Sequence, residues 1–144
     1  MLIRQILNAK PAADIITISA KSSVSEAANL LSQNRIGALI VSETGQGVDG
    51  ILSERDIVRE LGKRGVSCMS DKVADVMTKK IITATPTETA ESVLQSMTEK
   101  RFRHMPVTED GKLLGVVSIG DIVSARLSEI STEKEALQDM IMGH

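Results

Sequence analysis

The chain has 144 residues, 42% of them hydrophobic and 25% charged, which fits one ordinary globular domain or two small units sharing a core. Seventeen basic against nineteen acidic side chains leave a formal net charge of -2, and one Phe with no Trp or Tyr leaves no base-stacking platform, so nucleic acid is not an expected partner. A single cysteine, Cys68, excludes an internal disulfide and a multi-cysteine metal site; with no leader-like N-terminus and no apolar run approaching ~18 residues, a cytoplasmic protein with no membrane partner is expected.

In chain order, "IRQIL" (residues 3–7) reads as a short helical turn, paralleled later by "VADVM" (73–77). The β-branched run Ile15–Ile18 predicts a strand. Ser23 and Glu26 make a capping-box pattern, and Ala27, Leu30 and Leu31 recur at helical spacing behind it. Strands at Ala38–Val41 and Gly50–Leu52 flank the loop "SETGQGVD", and a helix starts at Ser53. The polar stretch "GKRGVSCMSDK" reads as a linker, in which Cys68, with no histidine near it in sequence, is a bystander thiol. The same order then returns. A strand at Ile81–Ala84 precedes a helix, introduced by Pro86, whose apolar face is Val93, Leu94 and Met97. Strands at Met105–Val107 and Leu113–Val117 are joined by the hairpin signal "EDGK", and a helix starts at Ser118.

The two halves align without a gap from "DIITISAKSSVSEAANLLSQNRIGALIV" onto "KIITATPTETAESVLQSMTEKRFRHMPV". One residue is lost in the following loop, where insertions are cheap. Register then resumes, placing Gly50, Ser53 and Asp56 on Gly115, Ser118 and Asp121. The chain is therefore a β-α-β-β-α unit written twice. A unit this small is marginal alone, so the copies are expected to bury their sheets against each other.

Each copy ends in glycine, two aliphatics, serine, two further residues and aspartate: "GILSERD" and "GVVSIGD". Helix capping explains Ser and Asp at that spacing. A ligand site explains them equally: a helix N-terminus with open N–H groups and a serine hydroxyl suits phosphate, and an aspartate in the opening turn suits ribose hydroxyls. Duplication does not separate the two readings, because an inherited cap is duplicated too. The second copy adds Arg101, Arg103 and His104 in "RFRHMPV", a counter-charge for phosphate. The first copy reads "RIGALIV", keeping Arg35 but placing Gly37 and Ala38 where Arg103 and His104 stand. His104 is not a metal candidate, since the one other histidine is His144 at the C-terminus.

This repeated unit, with its paired motifs and "RFRHMPV" in register, resembles a tandem pair of cystathionine-β-synthase (CBS) domains, a Bateman module of the small stand-alone bacterial type. The resemblance implies a mixed α/β (α+β) fold of two repeats packed with pseudo-two-fold symmetry: repeat 1 at 2–64, a linker at 65–72, repeat 2 at 73–130 and a C-terminal helical extension at 131–144. It implies clefts for an adenine nucleotide, AMP first, with ATP or NAD(H) as alternatives, and no catalytic cofactor. Asp121 and Asp56 would hold ribose hydroxyls, with Ser118 and Ser53 near phosphate. Arg103 and His104 would contact phosphate, and Arg55 would assist at the first cleft. Thr17 and Thr83 would line adenine pockets with Ile36, Phe102 and Pro106, and Gly37 and Ala38 complete the first site. Ala20 opposite Pro86, and Ile40 opposite Pro106, make the first site the weaker one.

From Ile119 onward Val123, Leu127, Ile130, Lys134, Leu137 and Ile141 fall at alternating four- and three-residue steps, a heptad seam that outruns the repeat. With stacked CBS pairs as the family precedent, a homodimer is expected. Occupancy would be read by an unidentified protein effector or by the assembly itself. The sequence holds no Walker-type loop, nucleophile–base pairing or metal-ligand spacing, so the leading reading is a regulatory sensor rather than an enzyme. The alternatives are a scaffold with vestigial clefts and, behind it, a nucleotide-hydrolysing enzyme using His104.

Overall fold

The computed structural model describes residues 1–10 and 15–142; His144 lies outside them. The elements are α1 (Ile3–Ala9), β1 (Thr17–Ile18), α2 (Val24–Asn34), β2 (Ala38–Val41), β3 (Gly50–Ser53), α3 (Glu54–Arg64), a 3₁₀ helix (Gly65–Ser70), α4 (Val73–Val76), α5 (Ala90–Lys100), β4 (His104–Glu109), β5 (Lys112–Ser118) and α6 (Ile119–Met142). The mixed α/β architecture of two repeats with a long C-terminal helix is the one expected. They form two compact units interleaved along the chain: residues 15–83 with 108–114, and residues 1–10 with 84–107 and 115–142.

The unit built on the first copy has a three-stranded sheet in the order β1-β2-β3. β1 runs parallel to β2, with Thr17 opposite Ile40, and β2 is antiparallel to β3, with Ala38 opposite Ser53 and Leu39 opposite Leu52. Leu39 and Leu52 are both 0% exposed and lie in one core with Val24, Leu31 and Val73. The predicted linker is a 3₁₀ helix packed on α3 and α2, and Cys68 within it is fully buried. Arg64, at the end of α3, anchors it by pairing with Glu60 and Asp71.

The helix α4 covers the start of α2. Val73 N–H donates to Ser22 O at 2.8 Å, Ala74 N–H to Ala20 O at 3.0 Å, and Val24 N–H to Asp71 O at 2.9 Å. Beyond α4, Thr78 and Ile51 exchange backbone hydrogen bonds at 2.8 and 3.0 Å, so the outer edge of β3 is not left open. That approach explains the motif glycine. A Cβ on Gly50 would lie 2.5 Å from Met77 Sδ and 3.1 Å from Thr78 O.

The unit built on the second copy repeats this docking with α1. Ile3 N–H donates to Glu88 O at 2.9 Å, Arg4 N–H to Pro86 O at 2.9 Å, and Ala90 N–H to Met1 O at 2.8 Å. A Cβ on Gly115 would lie 2.9 Å from Leu7 Cδ2, so Leu7 stands where Met77 stands in the other unit. Ile3, Met97, Met105 and Ile122 are all at most 2% exposed and form the interior. The hairpin β4–β5 turns at Asp110 and Gly111, whose φ of 51° and 77° are the paired left-handed values that "DG" favours.

The first strand of this copy differs from expectation. Residues 81–83 form no strand, and Ala84 makes one isolated parallel bridge to Val107, its N–H donating to Pro106 O at 2.9 Å. Pro106 occupies the position of Ile40 and has no N–H to return, so the ladder cannot extend. In the first copy the predicted Ile15–Ile18 strand is present only as Thr17–Ile18.

Both repeats end their first long helix on an arginine in the left-handed region, Arg35 (φ 52°) and Arg101 (φ 58°). The cap N–H of each returns to the helix, Arg35 to Leu31 O and Ser32 O and Arg101 to Met97 O. A side chain in that conformation costs about 1–2 kcal/mol.

Candidate functional site

In the second-copy unit Ser118 closes β5 and Ile119 opens α6. Arg103 O accepts the Ile119 N–H at 2.8 Å, which fixes the backbone of "RFRHMPV" against the first residue of that helix. The first copy does the same with Gly37 O and Glu54 N–H at 2.9 Å. This bond brings together residues that stand 15 to 18 positions apart in sequence: Arg103 with Ser118 and Asp121. His104 follows as the half-buried first residue of β4, and Phe102 before it is half-buried.

The capping reading of the motif is real in both copies. Asp121 N–H donates to Ser118 Oγ at 3.1 Å, and Ser118 N–H donates to Asp121 Oδ2 at 2.8 Å. In the first copy Asp56 N–H donates to Ser53 Oγ at 3.2 Å, and Ser53 N–H to Asp56 Oδ2 at 2.9 Å. These bonds correct the expectation of a row of open amides for phosphate. Ser118, Ile119 and Asp121 already donate within the chain, which leaves Gly120 in the opening turn. A serine oxygen that accepts a bond still has its hydroxyl proton to donate. The surface offered to an anion is therefore that hydroxyl, the Gly120 amide and the exposed Arg103.

Asp121 carries a partner that the sequence did not reveal. Lys10 Nζ donates to Asp121 Oδ2 at 2.9 Å and to Val116 O at 2.9 Å. Val116 corresponds to Ile51, whose carbonyl is satisfied in the other unit by the Thr78 N–H. Partial burial acts to raise the Asp121 pKa, but the Ser118 N–H and the Lys10 ammonium outweigh it and hold the carboxyl below its ordinary range. A folded pKa below the unfolded one means that this carboxylate contributes stability above the usual carboxylate range. The contribution is lost as pH falls through the lowered value.

Asp56 is placed differently. Its side chain is 9% exposed against 26% for Asp121. Oδ2 accepts the Ser53 N–H, and Oδ1 accepts Arg59 Nη2 at 2.9 Å. Each oxygen of the first aspartate accepts one bond from the protein.

Of the remaining predicted residues, Ala38 lies opposite Ser53 across the β2–β3 ladder, and Gly37 is held to the first residue of α3. Thr17 is half-buried in β1; Ile36, Gly37 and Ala38 are half-buried where the chain enters β2; Arg55 is exposed in the first turn of α3. Pro106 is buried, and Thr83 is exposed. A cavity of about 520 Å³ between α2 and α3 is lined by Ala28, Leu31, Arg35, Ile36, Gly37, Glu54 and Val58 among others, so it takes in Ile36 and Gly37 but not Ser53 or Asp56. Among the described residues no group of His, Cys, Asp and Glu could hold a metal ion, and no helix is long and apolar enough to cross a membrane.

Comparison with known proteins gives a match to the family model of the CBS domain over residues 3–63 and again over 73–128. The CBS domain-containing protein CBSX3, mitochondrial, of Arabidopsis thaliana is 40% identical over 125 residues, covering 84% of this chain; the chain spans 61% of that relative's length. The crystal structure of the CBS-domain containing protein ATU1752 from Agrobacterium tumefaciens superposes with a TM-score of 0.83 at 36% identity, covering 88% of this chain and 99% of that one. The CBS domain pair of protein MJ0100, solved in complex with 5'-methylthioadenosine and S-adenosyl-L-methionine, superposes with a TM-score of 0.77 at 26% identity, covering 90% and 98%.

Proposed function

Since the chain belongs to the CBS-domain family and carries that domain twice, we propose that it is a non-catalytic regulatory module that binds an adenine nucleotide and passes its occupancy to a partner protein or to its own assembly. The site is the opening turn of α6. Asp121 takes the ribose hydroxyls; the Ser118 hydroxyl, Arg103 and His104 take the phosphate; Phe102 and Pro106 flank the base. AMP is the first ligand, with ATP and NAD(H) behind it. The observation that carries the reading is the Ile119 N–H to Arg103 O bond, which holds a cationic segment beside a serine and a partly exposed carboxylate. The adenosyl compounds bound to the MJ0100 pair support the nucleoside part of the ligand. The corresponding turn of α3 is the weaker site, because Asp56 is buried beneath its pairing with Arg59, and Gly37 and Ala38 replace the cationic pair.

A thermal-shift panel of AMP, ADP, ATP, NAD, NADH and S-adenosylmethionine tests this. A ligand at about 100 times its dissociation constant adds about 2.7 kcal/mol, a rise of several degrees for a chain of this size. No shift with any of the six would overturn the reading.

The assembly half of the proposal rests on α6. Leu127, Ile130, Leu137 and Ile141 are between 50% and 75% exposed along one heptad seam, and residues 131–142 are exposed throughout. A second copy of the chain covers that seam. Sedimentation equilibrium is expected to give a dimer that Leu137→Glu shifts toward monomer. A wild-type chain that stays monomeric at every concentration would remove the dimer.

A further inference from the structure

We propose that Lys10 is a specificity-determining residue of the nucleotide site: it makes the site select phosphorylated over unphosphorylated nucleosides. This rests on the reading of Asp121 as the ribose acceptor. Two donors already converge on one oxygen of that carboxylate, Ser118 N–H at 2.8 Å and Lys10 Nζ at 2.9 Å, both on Oδ2. An ionised carboxylate offers about four lone-pair sites, two per oxygen, so Oδ2 is fully committed. A ribose cis-diol that clasps the carboxylate with one hydroxyl on each oxygen needs Oδ2.

One of the two donors must yield, and they are not equivalent. The Ser118 N–H is fixed by the backbone at the start of α6 and by its reciprocal bond from Asp121 N–H to Ser118 Oγ. The Lys10 ammonium sits at the end of a long side chain that is 38% exposed and has a second acceptor in Val116 O. Lys10 is the group that leaves. Once displaced, it keeps one neutral carbonyl and loses its counter-charge. A ligand that brings its own anion restores that charge balance, and an uncharged nucleoside does not. Lys10 thus imposes a cost on every ribose, and a phosphate on the ligand offsets it.

The first copy has no equivalent device. Its aspartate is held by Arg59, three residues along the same helix, and the carbonyl that matches Val116 O is satisfied by a backbone N–H rather than by a lysine. Set Leu7 on Met77 and Lys10 falls on Lys80, so the first-copy unit has a lysine at the matching position, but its aspartate pairs with Arg59; the lysine–aspartate pair belongs to the unit that also carries the cationic "RFRH" segment.

Isothermal titration of adenosine and AMP against the full-length wild type, Lys10→Met and Lys10→Arg tests the assignment. Lys10→Met is expected to bind adenosine more tightly and AMP less tightly than the wild type, so that the AMP-over-adenosine preference falls by about tenfold, the scale of one charge-assisted hydrogen bond. Lys10→Arg retains the wild-type preference. A preference unchanged in Lys10→Met, with both ligands still binding, would overturn the role of Lys10 and leave the nucleotide site standing. Failure of the wild type and both variants to bind either ligand would overturn the site itself, and the role of Lys10 with it.

Discussion

Asp121→Ala is expected to weaken adenine-nucleotide binding about 100-fold and to lower the stability of the free chain by about 1 kcal/mol. The first figure follows from losing two hydrogen bonds to a charged acceptor, at roughly 1.5–3 kcal/mol each before relaxation. The second follows from losing one half of a helix cap. From sequence alone, capping and ligand binding looked like rival explanations of the same residue. The reciprocal bonds between Ser118 and Asp121 make the cap a fact, so a loss of stability no longer argues against a ligand role.

Asp121→Asn separates the two contributions. Its amide oxygen can still accept the Ser118 N–H, while the negative charge that attracts Lys10 and polarises ribose hydroxyls is gone. A smaller loss of stability than in Asp121→Ala, from the lost Lys10 ion pair alone, with a sharply raised dissociation constant is the expected result. A wild-type dissociation constant in Asp121→Asn would leave the residue as a cap alone. In the wild type, affinity should hold as pH falls toward the ordinary carboxylate range and drop below it, because the Ser118 N–H and Lys10 keep Asp121 ionised longer than a free carboxylate.

Leu52→Ala is expected to damage the first-copy unit severely. Leu52 is 0% exposed, lies directly opposite the equally buried Leu39, and stands immediately before the capping serine of α3. Truncating a buried leucine costs about 2–5 kcal/mol, part for the lost transfer of the side chain and part for the cavity left behind. At roughly 3 °C per kcal/mol for a chain of this length, the midpoint should fall by about 10 °C. Denaturant midpoints should fall with an unchanged m-value. A loss below about 1 kcal/mol would mean that the sheet closes over the gap and that Leu52 is not central to this core.

Much of this architecture was legible because it is written twice. Ile15–Thr17 against Ile81–Thr83, and Ser53 and Asp56 against Ser118 and Asp121, keep register but for one residue lost in the loop between them, and local chemistry then marks the helix starts and the "EDGK" turn. What escaped the sequence depends on contacts between distant segments. Lys10 meets Asp121 across 111 residues, and no local pattern announces that meeting. Pro106 looked like an ordinary strand residue until its missing N–H was set against a parallel neighbour, where it reduces a predicted strand to one bridge. Cys68 sits among polar and glycine residues in a stretch that reads as a linker around a bystander thiol, yet a 3₁₀ turn buries it. Of the candidate site, the placement of the Arg103 backbone against the start of α6 was readable from the repeat, since Gly37 meets α3 in the same way. The ion pair that holds Asp56 was readable too, since Arg59 lies three residues along the same helix.

The interleaving of α1 and α4 has a consequence for how this chain can be divided. Gly50 makes room for Met77, and Gly115 makes room for Leu7, so each motif glycine is shaped for a residue from the other side of the sequence midpoint. A chain severed between Ser70 and Asp71 would leave the first fragment holding α1, which docks on residues 86–90, while its own α2 would lose α4. Neither fragment carries everything its own core closes against. The two halves are complementary fragments rather than independent modules, and the duplicated stretch of sequence is not the unit that folds.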